Sequence, residues 1–289
     1  MQLADERTLE TLDFASIRDR VVALTQTERG RDRTVELAPE IDLPGVRRAQ
    51  RETAEVRELV VAADLFVGRA IETEPLVAAG ARGQTVSATE LRAVGDSLAA
   101  AAAAYNKARE SESDIIKNLT AGYKQLKELI SALTDAIDER GAVLDRASPA
   151  LGRIRRSLVT SQNDARDKVS AMLRSSKYAN AIQDAVVTIR DGRFVVPIKA
   201  EFSGEFPGIV HDTSSSGQTL FVEPLAALET NNRLRTLRLE EEREVARILA
   251  ELSKRIGDEG TQIEANIEML ATLDVLVAKA RLSISMQAV

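Results

Sequence analysis

The spacing of apolar and polar residues changes once along this chain, between Val186 and Pro224. On both sides of that stretch, apolar residues recur every three or four positions, which is typical of amphipathic helices. Within the stretch they alternate with polar residues every second position, which indicates short β-strands. The pattern therefore predicts a mainly α fold with a small antiparallel β insertion.

The first strand pair is predicted around Asp191-Gly192, which separates two runs of β-branched residues. Asp-Gly suits a two-residue type I′ hairpin turn, and such a turn sets Arg190 opposite Arg193. Strict alternation then gives the hairpin an apolar face and a cationic face. The apolar face would carry Val187, Ile189, Phe194, Val196 and Ile198, and the opposite face Thr188, Arg190, Arg193, Val195 and Lys199.

A second strand pair is predicted at 206–211 and 218–223, on either side of a polar loop at 212–217 that is rich in turn formers. Because an isolated hairpin is marginal in water, we expect all four strands to form one sheet. Its minimal core would use Phe194, Phe202, Phe206 and Phe221. The alternative is that these rings stack on unpaired bases.

Two long helical patterns flank the sheet. The first has a narrow seam of apolar and small residues, and the second returns from about Leu225 to Ile256. The seam of the first comprises Leu151, Ile154, Leu158, Ser161, Ala165, Val169 and Met172. Steps of three and four favour a coiled-coil type arm, and about 30 residues would span about 45 Å, which would hold the sheet away from the rest.

The remaining patterns predict a helical body. One helical pattern begins with Leu9, Leu12, Phe14 and Ile17, others lie at 46–65 and 87–109, and a last one lies at 262–286, with Ser87 and Glu90 forming a capping box. Connections between the first helices are predicted at Pro39, Pro44, Pro75 and residues 80–83, and a bend at Gly257 and Gly260. The predicted segments are a helical core at 1–145, an ascending lever helix at 146–182, a β clamp at 183–224, a descending lever helix at 225–257 and a returning core segment at 258–289.

Composition restricts the chemistry. The 289 residues are 44% apolar and include no cysteine and one histidine, so disulfides, thiol chemistry and the usual zinc sites are not expected. No apolar run has the roughly 18 residues of a membrane span, and the first residues lack a secretory pattern. These features predict a cytoplasmic location and no membrane partner.

Charge is unevenly distributed. The chain carries a net charge of −6, but residues 146–199 contain eleven basic and four acidic residues, a local charge of +7. Such segregation is typical of a polyanion-binding surface. The alternative is internal neutralisation by acidic residues of the returning helix, namely Glu240, Glu241, Glu242, Glu244 and Glu251.

Several motifs resemble the MutS-two branch of the bacterial MutS family. They are Thr8-Leu9-Glu10 with Leu12-Asp13-Phe14, the segments 143–149 (VLDRASP) and 192–199 (GRFVVPIK), and, most specifically, 208–224 (GIVHDTSSSGQTLFVEP) with 229–232 (ETNN). The resemblance spans essentially the whole chain. It implies MutS core helices, two lever helices and a clamp, in agreement with the pattern above.

The resemblance also implies a longer protein with ATPase and Smr-type nuclease domains. This chain contains no G-x-x-x-x-G-K-[ST] phosphate loop. We therefore expect no catalytic residue, metal or cofactor in this part, whereas ATP and Mg²⁺ are implied for the full-length protein. Homodimers are implied as well, although the contact that forms them normally lies largely in the ATPase.

The predicted nucleic-acid contacts are Arg190, Arg193 and Lys199 at the sheet, with Arg174 and Lys177 at the end of the first arm. They would bind phosphates, because no base-reading helix is evident. His211, Asp212 and Gly217 are predicted to be structural, with His211 and Asp212 bonded to loop backbone. An alternative is that His211, Asp212 and the serines at 214–216 supply a base, an orienting group and a nucleophilic hydroxyl. Catalysis by such a serine would also require an oxyanion site, which the sequence does not indicate. On a helix, the side chains of Glu240, Glu241, Glu242 and Glu244 point in different directions, which favours a solvated or arginine-paired face over a cation site.

Three functions remain open at this stage. The first is a non-catalytic module that embraces branched or duplex DNA in recombination control and repair. The second, implied by family members that act on stalled or collided ribosomes, is binding to the ribosome through ribosomal RNA or protein. The third is a coiled-coil scaffold that binds a protein partner or a second copy of the chain.

Overall fold

The computed structural model describes residues 6–288, so the first five residues of the predicted core and Val289 lie outside it. Within the described range the chain forms eleven α-helices and one four-stranded antiparallel sheet. This confirms the predicted mainly α fold with a small antiparallel β insertion. It divides into two compact units. The core unit comprises the described residues up to Leu144 and from Leu249 onward, and the sheet unit comprises Asp145–Ile248.

Eleven helices follow each other along the described chain, and the sheet lies between the ninth and the tenth. They are α1 (Glu6–Thr11), α2 (Phe14–Val22), α3 (Glu28–Val35), α4 (Leu43–Ala62), α5 (Glu74–Ala81), α6 (Ala88–Ala108), α7 (Asp114–Thr120), α8 (Lys127–Ala136), α9 (Pro149–Leu173), α10 (Leu225–Asp258) and α11 (Gly260–Ser285). The helix predicted at 262–286 is confirmed as α11. It is apolar on most of its surface and forms the centre of the core unit, where it packs on α3, α4 and α6.

The helical pattern that begins with Leu9, Leu12, Phe14 and Ile17 is divided between two helices in the structure. Asp13 has a left-handed backbone (φ 51°), which separates α1 from α2, and a helix cannot continue through such a residue. Helix α4 begins earlier than predicted, because the Asp42 side chain caps the Gly45 amide. Pro44, predicted to lie in a connection, is in the first turn of α4, where a missing N–H costs nothing.

The capping box predicted at the start of α6 is confirmed: Ser87 accepts from the Glu90 amide and the Glu90 carboxylate accepts from the Ser87 amide. Gly80 was predicted to lie in a connection, but it is buried in α5. A Cβ there would meet the Ser253 carbonyl oxygen of α10, and a Cβ on Gly257 would meet the backbone of α5. These glycines therefore permit two backbones of the core unit to approach closely.

The sheet contains β1 (Thr188–Arg190), β2 (Arg193–Lys199), β3 (Gly208–Thr213) and β4 (Thr219–Pro224), in the order β1-β2-β4-β3. The two hairpins are thus joined through their second strands. A bulge between Val210 and Asp212 lets β3 continue two residues beyond the predicted end.

The predicted division of the first hairpin into an apolar and a cationic face is only partly correct. Val195 is as fully buried as its neighbours Phe194 and Val196, so β2 is covered on both faces. Ile189, expected inside, is 51% exposed because β1 is a short edge strand.

Helices α9 and α10 pack on each other in the sheet unit and run antiparallel. Ser148 contacts Glu244, Arg155 contacts Glu241, and Lys168 contacts Thr230. Residues later in α9 therefore contact residues earlier in α10, as expected of antiparallel helices. The seam predicted on α9 is buried or half-buried. The same apolar cluster joins the helices to the sheet and contains Leu158, Ala165, Val169, Phe194, Val196, Ile198, Phe206, Val222, Ala227 and Leu234.

Candidate nucleic-acid interface

The β1–β2 turn is the predicted type I′ hairpin. Asp191 and Gly192 both have positive φ (46° and 73°), and Arg190 lies directly opposite Arg193. Glycine suits this backbone, and aspartate is one of the few other residues that adopts it readily. Arg238 of α10 donates to the Gly192 carbonyl oxygen at 2.9 Å, so the helix holds the turn in place.

Arg193 was predicted to bind phosphate, but the structure gives it another role. Its guanidinium pairs with the Glu223 carboxylate at 2.7 Å and donates to Asn232 at 3.1 Å, and only 15% of the side chain is exposed. Two guanidinium groups that face each other across a hairpin repel, and here the pairs Arg193–Glu223 and Arg190–Asp212 offset this repulsion within the chain. A guanidinium that is needed by a buried carboxylate cannot leave it for solvent-exposed phosphate without a large desolvation cost.

Glu223 organises this part of the sheet unit. Its side chain has no solvent exposure, and three side chains donate to it: Arg193, Asn231 of α10 at 2.8 Å, and His211 of β3 at 2.5 Å. Asn231 also bonds both the amide and the carbonyl of Phe194. The network thus links three strands to α10, and its saturation makes a buried carboxylate tolerable.

His211 was predicted to bond loop backbone, and this is wrong, since its Nε2 contacts the Glu223 carboxylate instead. Asp212 does bond the backbone amide of the next residue, Thr213, at 2.8 Å. Gly217 has φ 72° and closes the β3–β4 turn through its amide to the Ser214 carbonyl. Among the described contacts, Ser214 meets Ser216 and the Thr219 amide, and none joins His211 to a serine.

Arg190 keeps partial access to solvent. Its Nε lies 3.2 Å from Asp212, and its guanidinium carbon lies 4.1 Å from the centre of the Phe221 ring. The side chain is 41% exposed and that of Asp212 is 48% exposed. An exposed ion pair of this kind is weak, so an incoming phosphate could exchange with Asp212 at little cost.

The other predicted contacts are more accessible. Arg174 follows the end of α9 and is exposed, and Lys177 is exposed with its amine 5.1 Å from the Tyr178 ring centre. Lys199, at the end of β2, is half-buried, with its amine 5.9 Å from the Phe202 ring centre. These three cations show no carboxylate partner among the described contacts.

Charges along α9 are partly neutralised within the chain. Arg155 binds Asp145 and Glu241, each at 2.7 Å, and these pairs raise its pKa against the opposing effect of burial. Internal pairing, which the sequence left as an alternative, thus applies to part of the basic segment. Arg153, Arg156 and Arg166 are exposed on the same helix.

Several residues important to this region were missed. Glu223 was predicted only as a strand residue, and Asn231 and Arg238 were not predicted to contact the hairpin. Asn231, Arg235 and Arg238 follow a spacing of four and three, which places them on one face of a helix. That spacing was a usable signal, but nothing local indicated that the face meets a strand turn.

Within residues 6–288 no group of three or more histidines or acidic residues has the arrangement of a metal site. None of the described helices is both long and apolar enough to cross a membrane.

Comparison with known proteins gives consistent relatives. Endonuclease MutS2 of Symbiobacterium thermophilum is 39% identical over 284 residues, which cover 98% of this chain and 36% of that protein. Endonuclease MutS2 of Thermomicrobium roseum is 38% identical (97% of this chain, 36% of that protein), and that of Pelotomaculum thermopropionicum is 34% identical (96% and 36%). No protein-family model matches the chain.

The matches cover nearly all of this chain, although the chain spans only 36% of the length of these relatives. The mainly helical fold with one small four-stranded antiparallel sheet is the fold class predicted from the sequence. The chain therefore belongs to the MutS2 family and corresponds to a part of such a protein.

Proposed function

We propose that this chain is a non-catalytic module of a MutS-like protein that embraces duplex or branched DNA during recombination control and repair. The observation that carries the proposal is the concentration of exposed cations in a segment of charge +7 within a chain of charge −6. The name of the relatives, endonuclease MutS2, supports a nucleic acid as the partner.

In this proposal, residues 146–182 and 225–257 act as levers and residues 183–224 act as the clamp. Support comes from the apolar cluster shared by α9, the sheet and the first part of α10, all of which lie in the compact unit Asp145–Ile248. Packed helices can transmit a displacement over their length because their interior is dense.

The proposed phosphate contacts are Arg174, Lys177 and Lys199, with Arg190 exchanging Asp212 for phosphate. Arg193 is reassigned to a positioning role, because its guanidinium serves the buried Glu223. Arg235 is added to the contacts, since it is exposed on the face of α10 that carries Asn231 and Arg238. Phosphate contacts carry no base information, so the binding would not depend on sequence.

We place ATP hydrolysis, its Mg²⁺, and strand cleavage in the parts of the relatives that this chain does not match. The sequence has no phosphate-loop motif, and the first relatives extend well beyond the aligned 36%. The chain by itself is thus proposed to bind DNA without cleaving it.

The test compares DNA affinity of the wild type and of Arg174→Glu with Lys177→Glu, measured by fluorescence anisotropy on a duplex and a four-way junction. We expect the double variant to lose about tenfold or more, because each reversal removes one phosphate contact and adds repulsion. The matched control is Lys107→Glu with Arg109→Glu, two exposed cations at the end of α6. It changes the net charge equally and should have little effect.

Three results would contradict the proposal. Equal losses in both double variants would show that net charge alone governs binding. Retention on ribosomes with no measurable DNA binding would favour the ribosomal alternative. A concentration-dependent dimer with salt-insensitive partner binding would favour the scaffold.

A further inference from the structure

A groove of about 900 Å³ crosses the core unit, far along the chain from the cationic sheet residues. Its walls are α2, α4, the connection between α3 and α4, and the last turns of α11. The apolar part of its lining includes Phe14, Ile17, Val21, Val46, Leu282 and Met286. No residue of this groove takes part in the proposed contact with DNA.

Apolar exposure continues beyond the groove. Leu12 is 69% exposed two residues before Phe14, and Ile41 (59%) and Leu43 (60%) lie between the lining residues Glu40 and Val46. Met286, in the lining itself, is 46% exposed. A small ligand inside the groove would leave this rim in water, whereas a protein surface would cover the rim and the groove together.

The charge of the groove selects the chemistry of its occupant. Five cations line it, against one carboxylate, that of Glu40. The cations are Arg18, Arg47, Arg51, Arg57 and Lys279. The lining residues thus carry a formal charge of +4, although the whole chain has a charge of −6.

Two of these cations, Arg18 and Lys279, are partly buried in the groove. The Nε–H of Arg18 is buried and has no hydrogen-bond acceptor in the described part of the chain. Lys279 is half-buried, and burial lowers the pKa of its amine, against the attraction of Glu52 and Glu40. Buried donors without acceptors are rare, so the Nε–H of Arg18 indicates a missing hydrogen-bond acceptor in this groove. Arg57 is already engaged, since it donates to the Ala288 carbonyl at 2.6 Å.

The shape of the groove suits a helix. On α4 its lining runs from Val46 to Arg57 at helical spacing, which is about 16 Å or three turns. An amphipathic helix binds such a groove by placing its apolar stripe on the floor, with anchors at intervals of three and four residues. Carboxylates beside that stripe would then meet the cations on the walls.

We propose that this groove is the docking site for an amphipathic helix of a partner polypeptide that carries Asp or Glu beside its apolar stripe. The interaction combines burial of the groove and its rim with pairing to Arg18, Arg47, Arg51 and Lys279. It is independent of the proposed DNA contact, which uses residues of the sheet unit.

The experiment uses two synthetic helical peptides of about 18 residues with the same leucine stripe, a length that spans about 27 Å as a helix. One peptide carries glutamate beside the stripe and the other carries glutamine, and circular dichroism checks that both are equally helical. Isothermal titration with the full chain should show the glutamate peptide binding about tenfold more tightly, with an advantage that falls as salt is raised.

A matched pair of tryptophan variants locates the site. Ala54 is exposed and lines the groove, and Ala62 is exposed at the end of the same helix but does not line it. Ala54→Trp should abolish binding of the glutamate peptide, whereas Ala62→Trp should leave it unchanged. Arg18→Gln with Lys279→Gln should reduce the advantage of the glutamate peptide over the glutamine peptide, because it removes two of the four pairing cations. Unchanged circular dichroism shows that the variants are folded.

Three outcomes overturn the proposal. Equal affinity of the two peptides for the wild type would remove the role of charge. Equal effects of Ala54→Trp and Ala62→Trp would place the binding elsewhere. Binding of decanoate that Ala54→Trp abolishes, with no binding of either peptide, would identify a small-molecule site.

Discussion

The carboxylate of Glu223 lies on β4 without contact to solvent and accepts hydrogen bonds from Arg193, His211 and Asn231. Two of these donors come from neighbouring strands and one from α10. Removing the carboxylate would leave a 15% exposed guanidinium and a buried amide with unmet hydrogen bonds. Glu223 thus fixes the first hairpin against the helix.

We predict that Glu223→Ala lowers the free energy of unfolding of the sheet unit by about 3–5 kcal/mol, because it breaks a buried ion pair from one side. Urea denaturation combined with hydrogen exchange of the strand amides measures this loss. The control is Arg190→Ala, which removes a half-exposed pair with Asp212 and should cost about 1 kcal/mol or less. Similar losses in the two variants would contradict the role given to Glu223.

Glu244 links the beginning of α9 to α10. Hydrogen bonds from Arg247 and Ser148 lower its pKa from 4.5 to about 2. Ser148 at the same time caps α9 by accepting from the Leu151 amide. A lowered carboxyl pKa stabilises the fold above pH 4.5, and that contribution disappears as the pH falls towards 2.

We therefore predict that Glu244→Gln destabilises the sheet unit at pH 7 and that its difference from wild type shrinks steadily between about pH 4.5 and pH 2. Thermal unfolding across this range gives the result. Glu240→Gln, at an exposed position with no described partner, should show no such change with pH. If the difference in stability between Glu244→Gln and the wild type stayed constant down to pH 2, the lowered pKa of Glu244 would not be the cause of its contribution.

At the level of whole helices, the packing of α5 against the end of α10 depends on two glycines, because a larger side chain at either position would separate the backbones. Gly80 and Gly257 bring the two backbones together, and Val86 donates to Ser253 from the following connection. The sequence predicted a connection at Gly80 and a bend at Gly257, and not a close contact between helices. Turns and close helix contacts both select glycine, so the residue type alone could not separate them.

We predict that Gly80→Ala destabilises the core unit by about 1–3 kcal/mol, because the new methyl group meets the Ser253 carbonyl oxygen. Gly122→Ala is the control, since a Cβ there meets no atom within 4 Å. Urea denaturation of the two variants makes the comparison. A loss at Gly80 no greater than that at Gly122 would show that the helices can separate without cost.

Local elements were the most predictable part of this chain. The capping box at Ser87, the seam of α9 and the Asp191-Gly192 hairpin each depend on residues close together in sequence. The break at Asp13 was missed, because apolar spacing continues across it while the backbone does not.

At the scale of the whole molecule, we predict that DNA binding by the chain is weak, insensitive to base sequence and steeply dependent on salt. Each neutralised phosphate contributes a slope of about −0.9 to log affinity against log salt on duplex DNA. Arg174→Glu with Lys177→Glu should therefore reduce the slope by about two, as anisotropy at several salt concentrations would show. An unchanged slope would mean that these side chains do not contact phosphate.

Sequence alone was sufficient to predict the helical composition, the four strands and their turn, and the concentration of positive charge between 146 and 199, because each depends on neighbouring residues or on a sum of charges. Tertiary structure decided which cations are available. Arg190 and Arg193 are equivalent on the hairpin, yet one is half-exposed and the other is committed to Glu223, thirty positions away. It also decided that apolar residues of α2, α4 and α11 share an open cationic groove. Ion pairing and burial depend on distances between remote segments, and only the folded chain fixes those distances.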